Sequence, residues 1–236
     1  MNMSDTANTG NLASAPTPPA EFDARLKRTE ENRWLASRYA PAGDRERLVA
    51  VYLLNQELQR ALVASEPMLG KIRLQWWRET LEGIAAGKPR RHDLSLELAR
   101  VTAGRADLLA AAQALVDLFD DILDDHLGAG GHQPGEAHAT RHFAAEAALA
   151  RLAGLALSAK AGGEQLEALS RCGEAHLAAQ ADLPDAAERL KTAQAAARIL
   201  PAELWPAIAH LAAAGPGQTP LRRRWRILRA IAARRL

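Results

Sequence analysis

The sequence is poor in several features that would assign a protein class at once. It contains one cysteine, Cys172, so an intramolecular disulfide is excluded and a reducing compartment is compatible with the chain. We interpret Cys172 as a small core residue rather than a nucleophile. Aromatic residues make up only 4 % of the chain, and alternating runs of β-branched residues are missing. These absences argue against a β-sheet protein and favour an all-α one.

The chain also lacks a membrane-spanning segment and a secretory signal. No apolar run approaches the roughly 18 residues that such a segment requires. Residues 1–20 are rich in Ser, Thr, Pro and Ala, without the basic and then apolar layout of a signal peptide. We therefore predict a disordered tail over residues 1–20, one folded domain over residues 21–236 and a cytoplasmic location.

Acidic residues are absent after Glu203, whereas arginine recurs through the last segment of the chain. Residues 221–236 have the pattern of a basic amphipathic helix. One interpretation is a peripheral contact with the inner face of an anionic membrane, or with an acidic partner. The other is that the apolar face completes the bundle and the arginines are solvated. The chain contains no motif for a nucleic-acid partner.

What the sequence does contain is alanine and leucine at helical spacing, interrupted by proline and glycine. This pattern predicts an all-α, single-domain helical bundle of about nine helices. The first helix is predicted over residues 21–39, and a longer acidic one over residues 106–127. Later helices are predicted over residues 186–200 and 202–214, separated by a proline.

The most informative stretch runs from Val51 to Leu81. Glu66-Pro67 predicts the end of one helix and the start of the next, because proline fits a first helical turn but not a helix interior. The stretch is therefore predicted to form two helices of one core, joined by a tight turn. Apolar residues recur at helical spacing on both sides of the turn, at Leu48, Val51, Leu54, Leu58 and Leu62 and again at Ile72, Trp76 and Leu81.

Three segments here resemble the squalene/phytoene synthase family, with order and spacing in agreement over residues 38–121. Tyr52-Leu-Leu-Asn55 resembles the family's Tyr-Ala-Phe-x, and residues 74–81 resemble its Leu-x-x-Trp-Arg-x-x-Leu. Residues 87–92 resemble its Gly-x-Pro-x-His-Pro. The resemblance implies an isoprenoid-synthase type of bundle and the head-to-head joining of two prenyl diphosphates. Residues 65–78 are similar to a degenerate branch that includes assembly factors for respiratory complex I.

The family's reaction requires magnesium ions, held by carboxylates on two facing helices, to neutralise the diphosphate leaving group. Counting from Tyr52, the first carboxylate cluster would fall at Gln59, Arg60 and Val63, none of which is acidic. The second cluster would fall within residues 172–187 and is not reproduced either. We therefore predict a pseudoenzyme without a cofactor, which serves as a binding or assembly module, with respiratory complex assembly at the membrane as one role.

The groove beside this helix pair is predicted to hold an isoprenoid-like ligand or a partner protein. Arg60 could also pair with a phosphate in place of magnesium. Trp76 and Trp77 point to different sides of their helix, so we expect one in the core and the other at a helix interface or against a prenyl chain. The candidate groove residues are Tyr52, Asn55, Gln56, Gln59, Arg60 and Gln75.

The alternative is an active prenyl diphosphate transferase with a rebuilt magnesium site. Residues 119–125 spell Asp-Asp-x-x-Asp, a signature of chain-elongating prenyltransferases. Against a metal site stands the position at a helix C-terminus, where the macrodipole disfavours negative charge. A solvated acidic helix end is the simpler interpretation. The candidate magnesium ligands, which would share one helix face, are Asp117, Asp120, Asp121 and Asp124.

The histidines do not form a recognisable ligand set. His132, His138 and His142 lie near the glycine-rich segment 128–131, and only the last two have the i, i+4 spacing of a helical chelating pair. No acidic residue completes a His-Glu-x-x-His motif. We interpret these residues as surface histidines and do not predict a zinc site.

Overall fold

The computed structural model describes residues 18–128, 136–215 and 217–236, and all regular structure within those ranges is helical. Most of the predicted tail and all of His132 lie outside the described residues. Pro18 to Ala20, at the end of the predicted tail, already belong to the first helix. The α-helices are α1 Pro18–Thr29, α2 Glu31–Ser37, α3 Ala42–Leu62, α4 Pro67–Ala85, α5 Asp93–Val101, α6 Ala106–Gly128, α7 Glu136–Leu157, α8 Gly163–Gln180, α9 Ala186–Ala196 and α10 Pro220–Ala233.

Proline and glycine set most of the helix ends, as the sequence predicts. Pro41 directly precedes α3, and Pro67 is the first residue of α4. Gly87 and Gly104, which follow α4 and α5, have positive φ angles of 72° and 71° that glycine adopts without steric cost. Thr219 caps α10 through its side chain, which accepts a hydrogen bond from the backbone N–H of Arg222.

Two predicted helices differ in the structure. The helix predicted over residues 21–39 is two helices, because Glu30 has an extended φ of −140° that interrupts the α conformation. The segment 202–214 forms two 3₁₀ helices, Ala202–Ala207 and Ala209–Ala213, instead of an α-helix. Pro206 lies inside the first of them and has no N–H to donate, so an α-helical ladder cannot continue there.

Helix α3 is the central element of the bundle and contacts α1, α2, α4, α5, α6 and α7. Tyr52 and the residues around it are almost wholly inaccessible to solvent. One continuous hydrophobic core runs from Phe22 to Leu211, and a smaller cluster joins α2 to α10 through Ala36 and Ile227. The predicted all-α single-domain fold is therefore confirmed, with α3 at its centre.

Two helix contacts depend on glycine for close approach. A Cβ atom on Gly70 of α4 would lie 2.4 Å from the carbonyl oxygen of Ala61 in α3. A Cβ atom on Gly173 of α8 would lie 2.3 Å from the carbonyl oxygen of Glu146 in α7. Backbone atoms cannot move aside as flexible side chains do. The second contact fixes the spacing of α7 and α8 beside the groove described next.

Candidate functional site

One face of α3 opens onto a groove of about 460 Å³. Because residues at i, i+3, i+4 and i+7 share a helix face, the α3 side chains that line it come from successive turns. The far side of the groove is formed by α7 and α8, and its end by the junction of α1 and α2. The lining residues are Gln56, Gln59, Arg60 and Val63 from α3, with Thr29, Glu30, Arg33, Glu146 and Gln180 from the other elements.

The floor of the groove is a buried arginine. The Arg33 side chain is paired with Glu30 at 2.6 Å and with Glu146 at 2.8 Å. Its guanidinium carbon lies 5.3 Å from the centre of the Tyr52 ring, within the range of a cation–π contact. Arg33 is 5 % exposed, so these three partners replace nearly all of its water.

The carboxylates at the floor of the groove stabilise the charged form of Arg33. Burial opposes the charge on Arg33, but Glu146 and Glu30 outweigh it and raise the pKa of Arg33 above its ordinary value. Burial also raises the pKa of Tyr52, only partly offset by Arg33, so Tyr52 stays a neutral phenol. The two carboxylates of the groove, Glu30 and Glu146, are therefore already paired with Arg33.

Gln56 joins this floor to the end of α1. Its Nε2 atom donates to the Thr29 hydroxyl at 2.7 Å and to the Glu30 carboxylate at 3.1 Å. Two buried atoms here have no hydrogen-bond partner, the Gln56 carbonyl oxygen and the Arg33 Nε. One accepts and the other donates, so the floor offers a bound polar group both kinds of hydrogen bond.

The space beneath Arg33 is filled. Tyr52, Cys172 and Ile208 help to enclose a void of only about 10 Å³, which is at the lower limit for one water molecule. Burial raises the pKa of the Cys172 thiol to about 12, in keeping with its predicted place in the core. Drug-sized ligands occupy pockets of about 300–1,000 Å³. A prenyl chain could therefore lie in the groove but could not pass below Arg33.

Two histidines lie on the far side of Arg33. His176 of α8 and His210 are both buried, with their rings 4.5 Å apart in an edge-to-face arrangement. Burial, together with the nearby Arg33 charge, lowers the pKa of each well below its ordinary value. Both rings are thus neutral at physiological pH, and neither Nδ1 atom has a hydrogen-bond partner.

The structure brings together only part of the predicted groove set. Gln56, Gln59 and Arg60 line the groove, and Tyr52 lies directly beneath it against Arg33. Asn55 is buried and is not among the lining residues.

The prediction that Gln75 lines the groove differs from the structure. Gln75 lies on α4, away from the groove, and forms hydrogen bonds with Glu79 at 2.9 Å and with Arg78. Gln75 and the half-buried Trp76 line a separate shallow hollow of about 370 Å³. Trp77 is in the core, as one of the two tryptophans was expected to be.

The acidic face of α6 does not reach the groove. The Asp120 carboxylate bonds Lys71 at 2.6 Å and Arg78 at 3.2 Å, both on α4. Asp117 pairs with Arg78 and Asp124 with Lys71. Although burial opposes its charge, these cations lower the pKa of Asp120. A magnesium ion here would have to displace both, so the geometry does not favour the rebuilt metal site that would have used Asp117, Asp120, Asp121 and Asp124.

The histidines near the end of α6 are closer together than the sequence suggests. Side-chain ligand atoms of His126, His138 and His142 all lie within 4.8 Å of one another. His138 and His142 are partly buried rather than ordinary surface residues. His126 was missed because it lies on a different helix, and its approach depends on how α6 and α7 pack.

Helix α10 divides its side chains between the core and solvent. Ile227 and Ala230 are buried, whereas Leu221 is 79 % and Trp225 63 % exposed. Together with Leu228 these exposed residues follow i, i+4, i+7 spacing, which places them on one stripe. Arg223 and Arg224 pair with Glu31 of α2. In the described part of the chain, no α-helix has the length and apolarity needed to cross a membrane.

The most important groove residue, Arg33, was not predicted. Glu30 and Arg33 are three residues apart, which is a common surface pairing. The partner that identifies the site, Glu146, lies 113 residues further along the chain. The sequence did contain one signal for this site, the acidic Glu146 within the Ala-rich pattern of α7. An acidic residue inside an apolar helix is rarely buried without a partner.

The described part of the chain is an all-α bundle, and its groove lies against the central helix α3. Within it, residues 26–124 match the model of the squalene/phytoene synthase family. The matched range holds α3, Arg33 and the acidic face of α6, whereas Glu146 and Gln180 lie beyond it. No curated protein and no solved structure matches the chain.

Proposed function

We propose that this protein has lost prenyl transfer and serves as a binding and assembly module. The observation that carries the proposal is the floor of the groove. The family's first carboxylate cluster would align with Gln59, Arg60 and Val63, and the two carboxylates nearby are both paired with Arg33. Magnesium needs oxygen ligands that carry negative charge. This groove offers amides and carboxylates that are already paired with Arg33. It therefore does not bind magnesium around a diphosphate.

The filled space beneath Arg33 supports the same conclusion. Head-to-head joining requires room for two prenyl chains around the reacting carbons. The groove has about 460 Å³ in all, within the size range of a site for one small ligand. An isoprenoid-like molecule or a partner side chain is the occupant that this volume and its mixed polar lining suit.

The test is an assay of the purified protein with farnesyl or geranylgeranyl diphosphate and magnesium. We expect no release of diphosphate above the protein-free baseline and no magnesium-dependent binding, with an active squalene synthase as the positive control. Asp120→Asn/Asp121→Asn is the matched variant. Robust turnover that this pair of substitutions abolishes would overturn the proposal in favour of a rebuilt magnesium site.

We propose further that the module works on an anionic membrane surface, which it contacts through α10. The exposed stripe of Leu221, Trp225 and Leu228 is flanked by Arg222 and Arg229. An apolar stripe bordered by cations suits the boundary between acyl chains and anionic headgroups. Assembly of a respiratory complex is the role that the similarity to complex I assembly factors suggests, and it rests on that resemblance alone.

Vesicle co-sedimentation tests the membrane contact. We expect the protein to sediment with phosphatidylcholine vesicles that contain an anionic phospholipid, to sediment less at high salt, and to stay unbound without the anionic lipid. Leu221→Ser/Trp225→Ser should abolish binding. The matched control Val63→Ser/Ile72→Ser removes exposed apolar side chains elsewhere and should bind as the unmodified chain does. Equal losses of vesicle binding in the two variants would contradict a contact through α10.

A further inference from the structure

The three clustered histidines come from two helices that meet at one end of the bundle. His126 lies in the last turn of α6, whereas His138 and His142 lie one turn apart at the start of α7. The Nε2 atoms of His138 and His142 are 3.0 Å apart. The ring centres of His126 and His138 are 4.4 Å apart, and those of His138 and His142 are 4.5 Å apart.

These distances are close to those of a metal site. Zinc binds imidazole nitrogen at about 2.0–2.1 Å in tetrahedral geometry, which places two bound nitrogens about 3.3 Å apart. The His138 and His142 pair already has nearly this spacing. Since the ligand atoms of all three residues lie within 4.8 Å of one another, small side-chain rotations bring the third nitrogen into range. Imidazole ligands favour zinc, copper, nickel or iron over magnesium or calcium.

The surroundings also suit a cation. Arg141, a positive side chain beside the histidines, is paired with Asp125 at 3.0 Å. The second oxygen of Asp125 and the Nδ1 atom of His138 are both buried without a hydrogen-bond partner. Histidines bound to a metal commonly donate their other N–H to a carboxylate, and the Asp125 charge acts on His138.

The pKa shifts of His138 and His142 are in the direction that favours metal binding. Burial, His126 and Arg141 outweigh Asp125 and lower the pKa of His138. Burial, His138 and His126 lower the pKa of His142. Neutral imidazole is the form that binds metal, so its lone pairs are available near neutral pH.

We propose that His126, His138 and His142 bind one divalent transition-metal ion of the zinc class, which ties the end of α6 to the start of α7. Three protein ligands leave one tetrahedral position for water or for a carboxylate. The site is separate from the groove and involves none of its lining residues, so it does not depend on the proposed function.

The experiment uses the untagged full-length chain after treatment with a chelator and buffer exchange. Co²⁺ is the optical probe, because tetrahedral cobalt absorbs strongly in the visible range, and Zn²⁺ is then added in competition. We expect one equivalent of Co²⁺ to produce the absorption band and one equivalent of Zn²⁺ to remove it. We also expect Zn²⁺ to raise the thermal unfolding midpoint, since a ligand that binds the folded state stabilises it.

Three variants decide between this site and non-specific binding. His138→Gln/His142→Gln should abolish the band, and His126→Gln, which alters an exposed side chain, should weaken Zn²⁺ binding by at least about tenfold. His92→Gln removes an exposed histidine elsewhere and should bind as the unmodified chain does. Circular dichroism confirms that each variant is folded. The proposal is wrong if the unmodified chain gives no tetrahedral cobalt band, or if the folded His126→Gln variant binds zinc as tightly as the His92→Gln control.

Discussion

Arg33 is the residue on which the groove depends. Breaking a buried ion pair on one side costs far more than the pair contributes, because the remaining charge has neither partner nor water. Here two carboxylates, Glu30 and Glu146, share the same guanidinium. Removal of Arg33 would leave both facing each other across the floor of the groove.

We therefore expect Arg33→Met to lower the free energy of unfolding by about 3–5 kcal/mol. Arg171→Met is the control, because Arg171 makes an exposed i, i+4 pair with Glu167 that is worth only about 0.3–0.5 kcal/mol. Urea denaturation of both variants measures the difference. Adding Glu30→Met and Glu146→Met to Arg33→Met should recover most of the loss. Equal destabilisation by the Arg33 and Arg171 substitutions would show that the cluster does not support the fold.

At the scale of the element, α3 and α4 owe their close packing to one glycine. The segment around Gly70 lies within residues 26–124, which match the family model. A Cβ atom at this position would meet the Ala61 carbonyl oxygen at 2.4 Å and a Leu123 methyl carbon at 2.8 Å. The sequence pattern therefore has a structural cause in the contact of α4 with α3 and α6.

We expect Gly70→Ala to destabilise the protein by about 1–3 kcal/mol, as overpacking of a filled interior does. Gly43→Ala makes the same chemical change in the first turn of α3, where the added atom meets nothing within 4 Å. Its effect should be a gain of about 0.5–1 kcal/mol from the helix propensity of alanine. Thermal unfolding monitored by circular dichroism compares the two. If Gly70→Ala left the stability unchanged, α3 and α4 would be able to move apart without loss of stability.

Element ends were the part of the fold that the sequence predicted best. Proline and glycine act locally, so Pro67 and Gly87 mark the ends of α4 without knowledge of the rest of the chain. The break at Glu30 carries no such residue and was not predicted. The 3₁₀ region around Pro206 was predicted as an α-helix because its apolar spacing fits either form.

Across the whole molecule, the buried histidines make stability depend on pH. The folded chain keeps His176 and His210 neutral, whereas the unfolded chain protonates each near its ordinary pKa of about 6.5. The unfolded state therefore binds more protons in acid, and the free energy of unfolding falls as pH decreases below about 6.5. His138 and His142 also have lowered pKa values and contribute in the same direction.

We expect unfolding free energies measured between pH 7.5 and pH 5.5 to fall by up to about 1.4 kcal/mol per pH unit for each of the two buried histidines. His176→Gln/His210→Gln should flatten this slope, although it lowers stability at pH 7.5. His92→Gln alters an exposed histidine and should leave the slope unchanged. An unaltered slope in the double variant would show that both rings bind protons equally in the folded and unfolded states.

The site was predictable only where it lies on one helix. Gln56, Gln59 and Arg60 follow from helical spacing along α3, and the structure places them in the groove. Arg33 and Glu146 come from separate helices, and only the packing of the bundle brings them into contact. The same limit explains His126, whose partners are on the next helix. Spacing along one element is local information, whereas a pairing across elements depends on the whole fold.

The buried arginine makes the positive charge in the groove independent of the concentration of free metal ions. A metal ion in such a groove would be shared with the surrounding solution, and its occupancy would follow cellular magnesium and competing nucleotides. Arg33 is translated with the chain and held by Glu30 and Glu146 at every concentration of free ion. Whatever binds above it therefore meets the same charge in depleted and replete cells, and a chelator cannot empty the floor of the groove.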